Sequence, residues 1–551
     1  MASIAKNIAM KYLLTSFLLV TTYLSFSQLS IDITTLGAST SLGDNAPFIQ
    51  KAIDSVSNNG GGEVIINGGS FTSNTIILKS NVTLRVTTGS TLLALPVDTF
   101  PDIPYNTRSW MDTYTDKLLI FAEDANNIRI TGGGTIDGNG NQLVYLLDSS
   151  DVKRRPFGMR IHGVDTFQVD SITLRQAPQW FGSIDSCQNV HIFNITCYNQ
   201  GYSSNDGIDI SSSTNVLVEN SSFDTDDDPL PIKTESRAIC RDVMVRNCQI
   251  ATFERAVKVG CETLGPMVNI HFQDITVVPS SNTSVGALEV PWNMMYIAVA
   301  DGGSMDSIYF QNINGTAAKS QTSLFIRLCN RGFSYDGTEP GPYYLRNVWI
   351  DNVTATQTST TPNSITGIPG FPVQNINIHN VVLTVPGGGA AGFPADSIGE
   401  QLATRPEFDI WGDSLPAYGL FVRHADSVNM DSFCIILQSY DQRPEFVEAD
   451  TAGQTYINSC SSPDINGIKN ILTGTTVTYY PNPAKDQLTI KNIPAECEAI
   501  VFLDMRGAVA AIIPARGSEM PINTSNLESG VYTAIAHGQN YHQVTKVVIA
   551  R

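Results

Sequence analysis

The 551-residue sequence predicts an all-β protein, a parallel β-helix followed by a small β-sandwich, on three observations. Short units of alternating apolar and polar residues, each opened by Asn, Asp or Ser, recur along most of the chain. In the middle the openings at Asn189, Asn215, Asp242 and Asn269 follow at intervals of 26, 27 and 27 residues. After one N-terminal amphipathic stretch, helical periodicity does not return. A period in the twenties built from strands and polar turns marks a solenoid, whose units bury their apolar faces only by stacking. With no helix in each unit, the β-helix is preferred to a leucine-rich horseshoe. A many-stranded sandwich is the alternative, but it needs no fixed period.

Taken in order, Lys6 and Lys11 precede an apolar run from Tyr12 to Leu24 and a small-residue exit at Ser25-Phe26-Ser27. This is the layout of a secretory signal peptide over residues 1–27, with a signal anchor as the alternative. Ile31-Asp32-Ile33 reads as a first strand. Asp44-Asn45-Ala46-Pro47 opens a helix with a polar cap and Pro in its first turn. Phe48, Ile49, Ala52, Ile53 and Val56 give that helix one apolar stripe, and Gly60-Gly61-Gly62 ends it. It is expected to cap the open end of the solenoid. The repeating units then open at Asn81, Asn127, Asn189, Asn215, Asp242, Asn269, Ser307, Asn347, Asn375 and Ser427. The β-helix is expected to fill residues 28–460. Near Cys460-Ser461-Ser462-Pro463 the pattern breaks, and residues 461–551 read as a linker and a C-terminal β-sandwich.

Lys plus Arg is 33 against 52 Asp plus Glu, a net charge of −19. Nucleic acid is excluded as a partner, since phosphate binding needs clustered cations. An acidic polysaccharide would need a local cationic patch. The nine cysteines form no CxxC pair and have no His at ligand spacing, so a zinc site is not expected. Most are read as small buried hydrophobes, with one or two disulfides permitted by export. A monomer is expected.

Chemistry concentrates in Ser204 to Lys258. The runs 206–209 and 226–228 place five aspartates within 23 positions. Crowded carboxylates repel, so folding alone does not gather them, whereas acid/base work or a cation does. Asp206 and Asp227 are 21 residues apart, close to one coil, and equivalent positions on adjacent coils lie about 4.8 Å apart. Asp206, Asp227 and Asp228 are thus expected on one face, at a spacing suited to flanking a scissile bond or a water. Asp224 reads as a solvated turn, and Asp209 is open between the two readings. Lys233, Arg255 and Lys258 follow on the same and the next coil, as salt bridges or as holders of a sugar's hydroxyl or carboxylate groups. Trp180 is either a sugar-stacking platform or core. Strand alternation points Arg423 and His424 to opposite faces, and both are read as structural.

Gly132-Gly133-Gly134-Thr135-Ile136-Asp137-Gly138, Asn205-Asp206-Gly207-Ile208-Asp209 and Asp227-Asp228 with Ile232-Lys233 together resemble glycoside hydrolase family 28. That family contains the polygalacturonases and related pectin-degrading enzymes, and the resemblance runs from about Ile31 to Thr451. It implies a right-handed parallel β-helix, as in pectin lyases, that hydrolyses glycosidic bonds with inversion. Asp206 and Asp228 would hold and activate the water, and Asp227 would protonate the leaving oxygen. No metal or organic cofactor is implied.

The chain departs from the family pattern at three places. Asp226 stands where Gly usually precedes the paired aspartates. Glu254-Arg255-Ala256-Val257-Lys258-Val259-Gly260 replaces the Gly-His-Gly segment. The Arg-Ile-Lys triplet has no clear counterpart, the segment nearest by order being Ala287-Leu288-Glu289-Val290. Arg255 and Lys258 are expected to take over substrate binding, which suits another uronic or a neutral sugar. Pro416 to His424 looks like a bacterial branch of the family. Tyr480-Pro481-Asn482-Pro483 and Ser529-Gly530-Val531-Tyr532 resemble the sorting domain of type IX secretion in Bacteroidetes, implying that machinery as partner and a secreted or surface-attached product. Two other functions stay open: a lyase with calcium on Asp226, Asp227 and Asp228 and Lys258 or Arg255 as base, and an inactive glycan-binding β-helix. An insertion such as Leu95 to Lys117 would favour exo action.

Overall fold

The computed structural model describes residues 28–96, 100–103, 115–140, 155–201, 204–281, 290–331, 343–451, 456–459, 477–495, 497–504, 509–538 and 541–551. The signal peptide at 1–27, the linker following Cys460, Ala287 to Glu289 and most of the Leu95–Lys117 insertion lie outside the described residues.

The openings of the repeating units explain how the solenoid forms. All ten, from Asn81 to Ser427, have positive φ between 51° and 63°. Asn, Asp and Ser tolerate this left-handed corner at low cost. The corner turns the chain into a strand, and at several corners the side chain bonds across to the corner of the neighbouring coil. Asn215 Nδ2 donates to Asn189 Oδ1 at 2.6 Å, and Asn189 Nδ2 to Asp165 Oδ1 at 2.7 Å. The same rung recurs at Asn375 to Asn347 (2.6 Å) and Asn127 to Asn81 (3.0 Å). One opening hid from the sequence: Thr166, φ 65°, begins a coil whose strand is Asp165–Asp170.

One residue past each corner an apolar side chain enters the core. Ile128, Phe167, Val190, Val216, Val243 and Ile270 stand in register on consecutive coils, and the row continues through Ile308, Val348 and Ile376 to Val428. All are buried. The resulting right-handed parallel β-helix has a 20-stranded and a 12-stranded parallel sheet. The helix Ala46–Asn58 covers its start, burying Ile49, Ala52, Ile53 and Val56. Asp44 Oδ1 accepts from the Ala46 N–H at 2.9 Å, while Asn45 makes no side-chain cap bond. At Gly62, φ 152°, a Cβ would meet Leu29 O at 1.9 Å, so the first strand can lie against it only because the side chain is missing. That strand is Leu29–Asp32, and Ile33 already belongs to a 3-10 turn rather than to the strand.

From Val477 onward a second core forms, with Leu488, Ile490, Ile500, Phe502 and Val547 among its members. Its strands make one three-stranded and one four-stranded antiparallel sheet, the expected sandwich. Seven cysteines are free and buried, and Cys434 is disulfide-bonded.

Candidate active site

The site sits where turns feed the 12-stranded sheet. Asp206 precedes the strand Ile208–Ser211, and Asp227 and Asp228 precede Ile232–Thr234 on the next coil. The Gly207 N–H donates to Asp228 O at 2.9 Å, joining the two turns. A Cβ on Gly207 would lie 2.1 Å from Pro229 O, so this approach requires glycine. Buried Asn199 bolts the first turn, Nδ2 donating to Asp206 O and Gln179 O at 2.7 Å each. Thr225 and Thr252 hydroxyls both donate to Asp227 O, at 2.5 and 2.7 Å. The backbone is therefore fixed around three carboxyls, one oxygen of each lying within 4.8 Å of the others.

Their surroundings drive their charge states apart. Burial pushes Asp206 well up, and the neighbouring Asp227 and Asp209 add to it. Burial and the adjacent Asp228 also raise Asp227, whose carboxylate accepts from the Asp228 N–H at 2.9 Å and the Ser204 N–H at 3.2 Å. Asp228 feels the same burial, yet Lys258, Arg255 and Lys233 override it and hold its carboxyl below the usual range. Lys258 Nζ bonds Asp228 Oδ2 directly, and Arg255 Nη1 is 3.5 Å from Oδ1. The arrangement thus sets two carboxyls whose hold on a proton is strengthened beside one whose hold is weakened, the division that acid/base chemistry at a single bond requires.

Every site residue expected from sequence falls in this region. Lys233 Nζ donates to Asp209 Oδ2 at 2.6 Å, and burial carries the Asp209 carboxyl to about 7 despite that lysine. Asp209 is fully buried, so it holds Lys233 rather than a substrate. Trp180 is core, not a sugar platform: it is 3% exposed, stacks on Phe157 at 5.1 Å, and lies under Lys233 Nζ at 4.3 Å. Asp226 accepts from the Gly201 N–H at 2.5 Å, outside the trio. Arg423 and His424 do not diverge. His424 sits at a left-handed corner, φ 46°, which breaks the alternation, and both side chains reach Glu400, at 2.5 and 3.0 Å.

Four participants escaped the sequence reading. Glu407, 152 residues beyond Arg255, bonds its guanidinium from the excursion between strands Val373–Val385 and Leu420–Arg423. Glu262 stands 3.9 Å from Lys233. Tyr296, beside Lys258 on the next coil, donates its hydroxyl to Pro406 O at 2.7 Å, and Trp292 lies against Arg255. Only the parallel register could have revealed Tyr296. No local signal points to Glu407.

A solenoid carrying acid and carboxylate on facing turns defines a class of glycan-cleaving proteins. The chain belongs to the glycosyl hydrolases family 28, which matches residues 69–393, and residues 478–550 match the secretion system C-terminal sorting domain. That second domain directs the chain to secretion and attachment at the cell surface. Among relatives, a probable endo-xylogalacturonan hydrolase A of Neosartorya fischeri is 29% identical over 260 residues, 45% of this chain and 60% of its own length. Exopolygalacturonase X-1 of Emericella nidulans is 24% identical over 63% of this chain and 81% of its own. The chain thus spans less than two thirds of the first of these relatives. Two solved structures share the fold: the family 28 exopolygalacturonase of Yersinia enterocolitica (TM-score 0.57, 18% identity, 78% of each chain) and a hyperthermoactive exopolygalacturonase from Thermotoga maritima (0.51, 21%, 65% of this chain and 87% of that one).

Proposed function

We propose that the protein is a secreted hydrolase of glycosidic bonds in a pectin-like polysaccharide, with Asp227 as general acid and Asp228 as the base that activates water. The observation that carries this is the opposed charge state of two adjacent aspartates, one raised by burial and its neighbour, the other held ionised by Lys258 and Arg255. As the bond breaks, Asp227 gives its proton to the leaving oxygen and Asp228 takes one from the attacking water; Asp206, raised in the unliganded protein, keeps its proton and holds that water from the other side. Lys233, Arg255 and Lys258 set these charges from beneath the trio.

Release of reducing ends from pectic and algal glycans by the protein, and its loss in Asp227→Asn, tests the assignment. Removing a general acid costs about 10²- to 10⁴-fold. Stereochemistry is a separate readout. The trio is tighter than the roughly 6.5–9.5 Å usual between carboxyls of inverting enzymes, so inversion rests on the family resemblance. A first-formed product of inverted anomeric configuration by NMR supports it, and retention refutes it.

A calcium-dependent lyase is the second reading, since one ion could touch Asp206, Asp227 and Asp228 together. Against it, the Lys258 ammonium already occupies Asp228, where a cation would bind, and an ion-paired ammonium is a poor base. Ultraviolet-absorbing products lost on chelation would establish the lyase.

A further inference from the structure

Around the trio the cations are closed by carboxylates of the chain itself. Lys233 is bonded to Asp209 and stands 3.9 Å from both Asp206 and Glu262. Lys258 is bonded to Asp228. Arg255 joins Glu407, joins Glu254 at 2.8 Å, and faces Asp228 at 3.5 Å. Its guanidinium also lies 5.2 Å from the Trp292 ring and 5.5 Å from that of Tyr296, which fixes its plane. Farther out, Arg331 is bonded to Asp301 and Glu262, and Arg405 to Glu407 at 2.9 Å.

The ionised carboxylate of the trio keeps one acceptor unfilled. Asp228 Oδ1, in the trio itself, has no hydrogen-bond partner. Acceptors of this sort are complemented by donors. Sugar hydroxyls donate; a uronate carboxylate cannot. A bound carboxylate would meet like charge where water is scarce, and among the described residues Lys233, Lys258 and Arg255 are already paired with the chain's own carboxylates.

We propose that the sugar unit held at the cleaved bond is uncharged, either a neutral sugar or a uronic acid whose carboxyl is esterified. Glu407 and Asp209 enforce this by neutralising Arg255 and Lys233. The inference rests on the trio being the glycan-cleaving site, and it separates this chain from a plain hydrolase of polygalacturonate.

The test uses galacturonan oligosaccharides of one length in two forms, free acid and fully methyl-esterified. Reducing-end release is followed with the full protein, and binding to Asp227→Asn by calorimetry. The ester is expected to show a kcat/KM at least about tenfold higher, since like-charge juxtaposition is strongly unfavourable. Added salt narrows the gap by screening the acid's repulsion. Glu407→Gln, which releases one arm of Arg255, narrows it further. Equal rates, or preference for the free acid, overturn the inference while leaving the hydrolase intact. Binding of the ester without new reducing ends keeps the inference and sinks the hydrolase. Binding of neither form overturns it.

Discussion

Lys258 is the residue on which the charge of the trio turns. Asp227 and Asp228 are chain neighbours, the first half-buried and the second buried, and what sets them apart is that Lys258 bonds Asp228 directly and Arg255 stands 3.5 Å from it. The sign of the pH dependence follows. Asp228, lowered, stays ionised until the pH falls below the ordinary carboxylate range of about 3.9, and Asp227, raised, keeps its proton above it. Activity is therefore bell-shaped, with Asp228 as the acidic limb and Asp227 as the alkaline limb. Lys258→Met removes the largest opposing charge, and burial then dominates Asp228. The acidic limb is expected to move upward, with kcat falling about 10²-fold or more. A pH–rate profile checks both, and an unmoved acidic limb would take the base role away from Asp228.

At the level of the coil, the asparagine rungs do two jobs, holding a left-handed corner and bonding across coils. Asn215 receives no help from burial, because its corner is exposed. Asn215→Ala is expected to cost about 1–3 kcal/mol, combining left-handed strain with the lost bond to Asn189. Asn215→Gly keeps the corner and loses only the bond, about 1 kcal/mol. Urea unfolding of the two variants separates the contributions, and equal losses would assign the whole effect to the rung.

Across the whole molecule, the solenoid core and the sandwich core share no residue, the first ending near Leu437 and the second beginning at Val477. A chain ending at Cys460 is therefore expected to keep its turnover per molecule while losing surface attachment, read by activity in the medium against the washed-cell fraction. Lost turnover would mean that the sorting domain supports the active fold. The same division of scales separates what could be read from sequence. The β-helix, its cap, the sandwich and the carboxylate trio were legible because each depends on local pattern: the Asn-opened period, the helical stripe, and two acidic runs one coil apart. The placement of Trp180, the convergence of Arg423 and His424 on Glu400, and the partners Tyr296 and Glu407 were not. These depend on which coils stack and on where a 52-residue step between Asn375 and Ser427 returns its chain to the sheet. Sequence determined the kind of solenoid and the carboxyls it carries, since strand period and turn chemistry are properties of neighbouring residues. Only the tertiary structure decided which carboxyl keeps its proton and which cation remains to meet a substrate, because burial and opposite charge act through space between residues far apart in the chain.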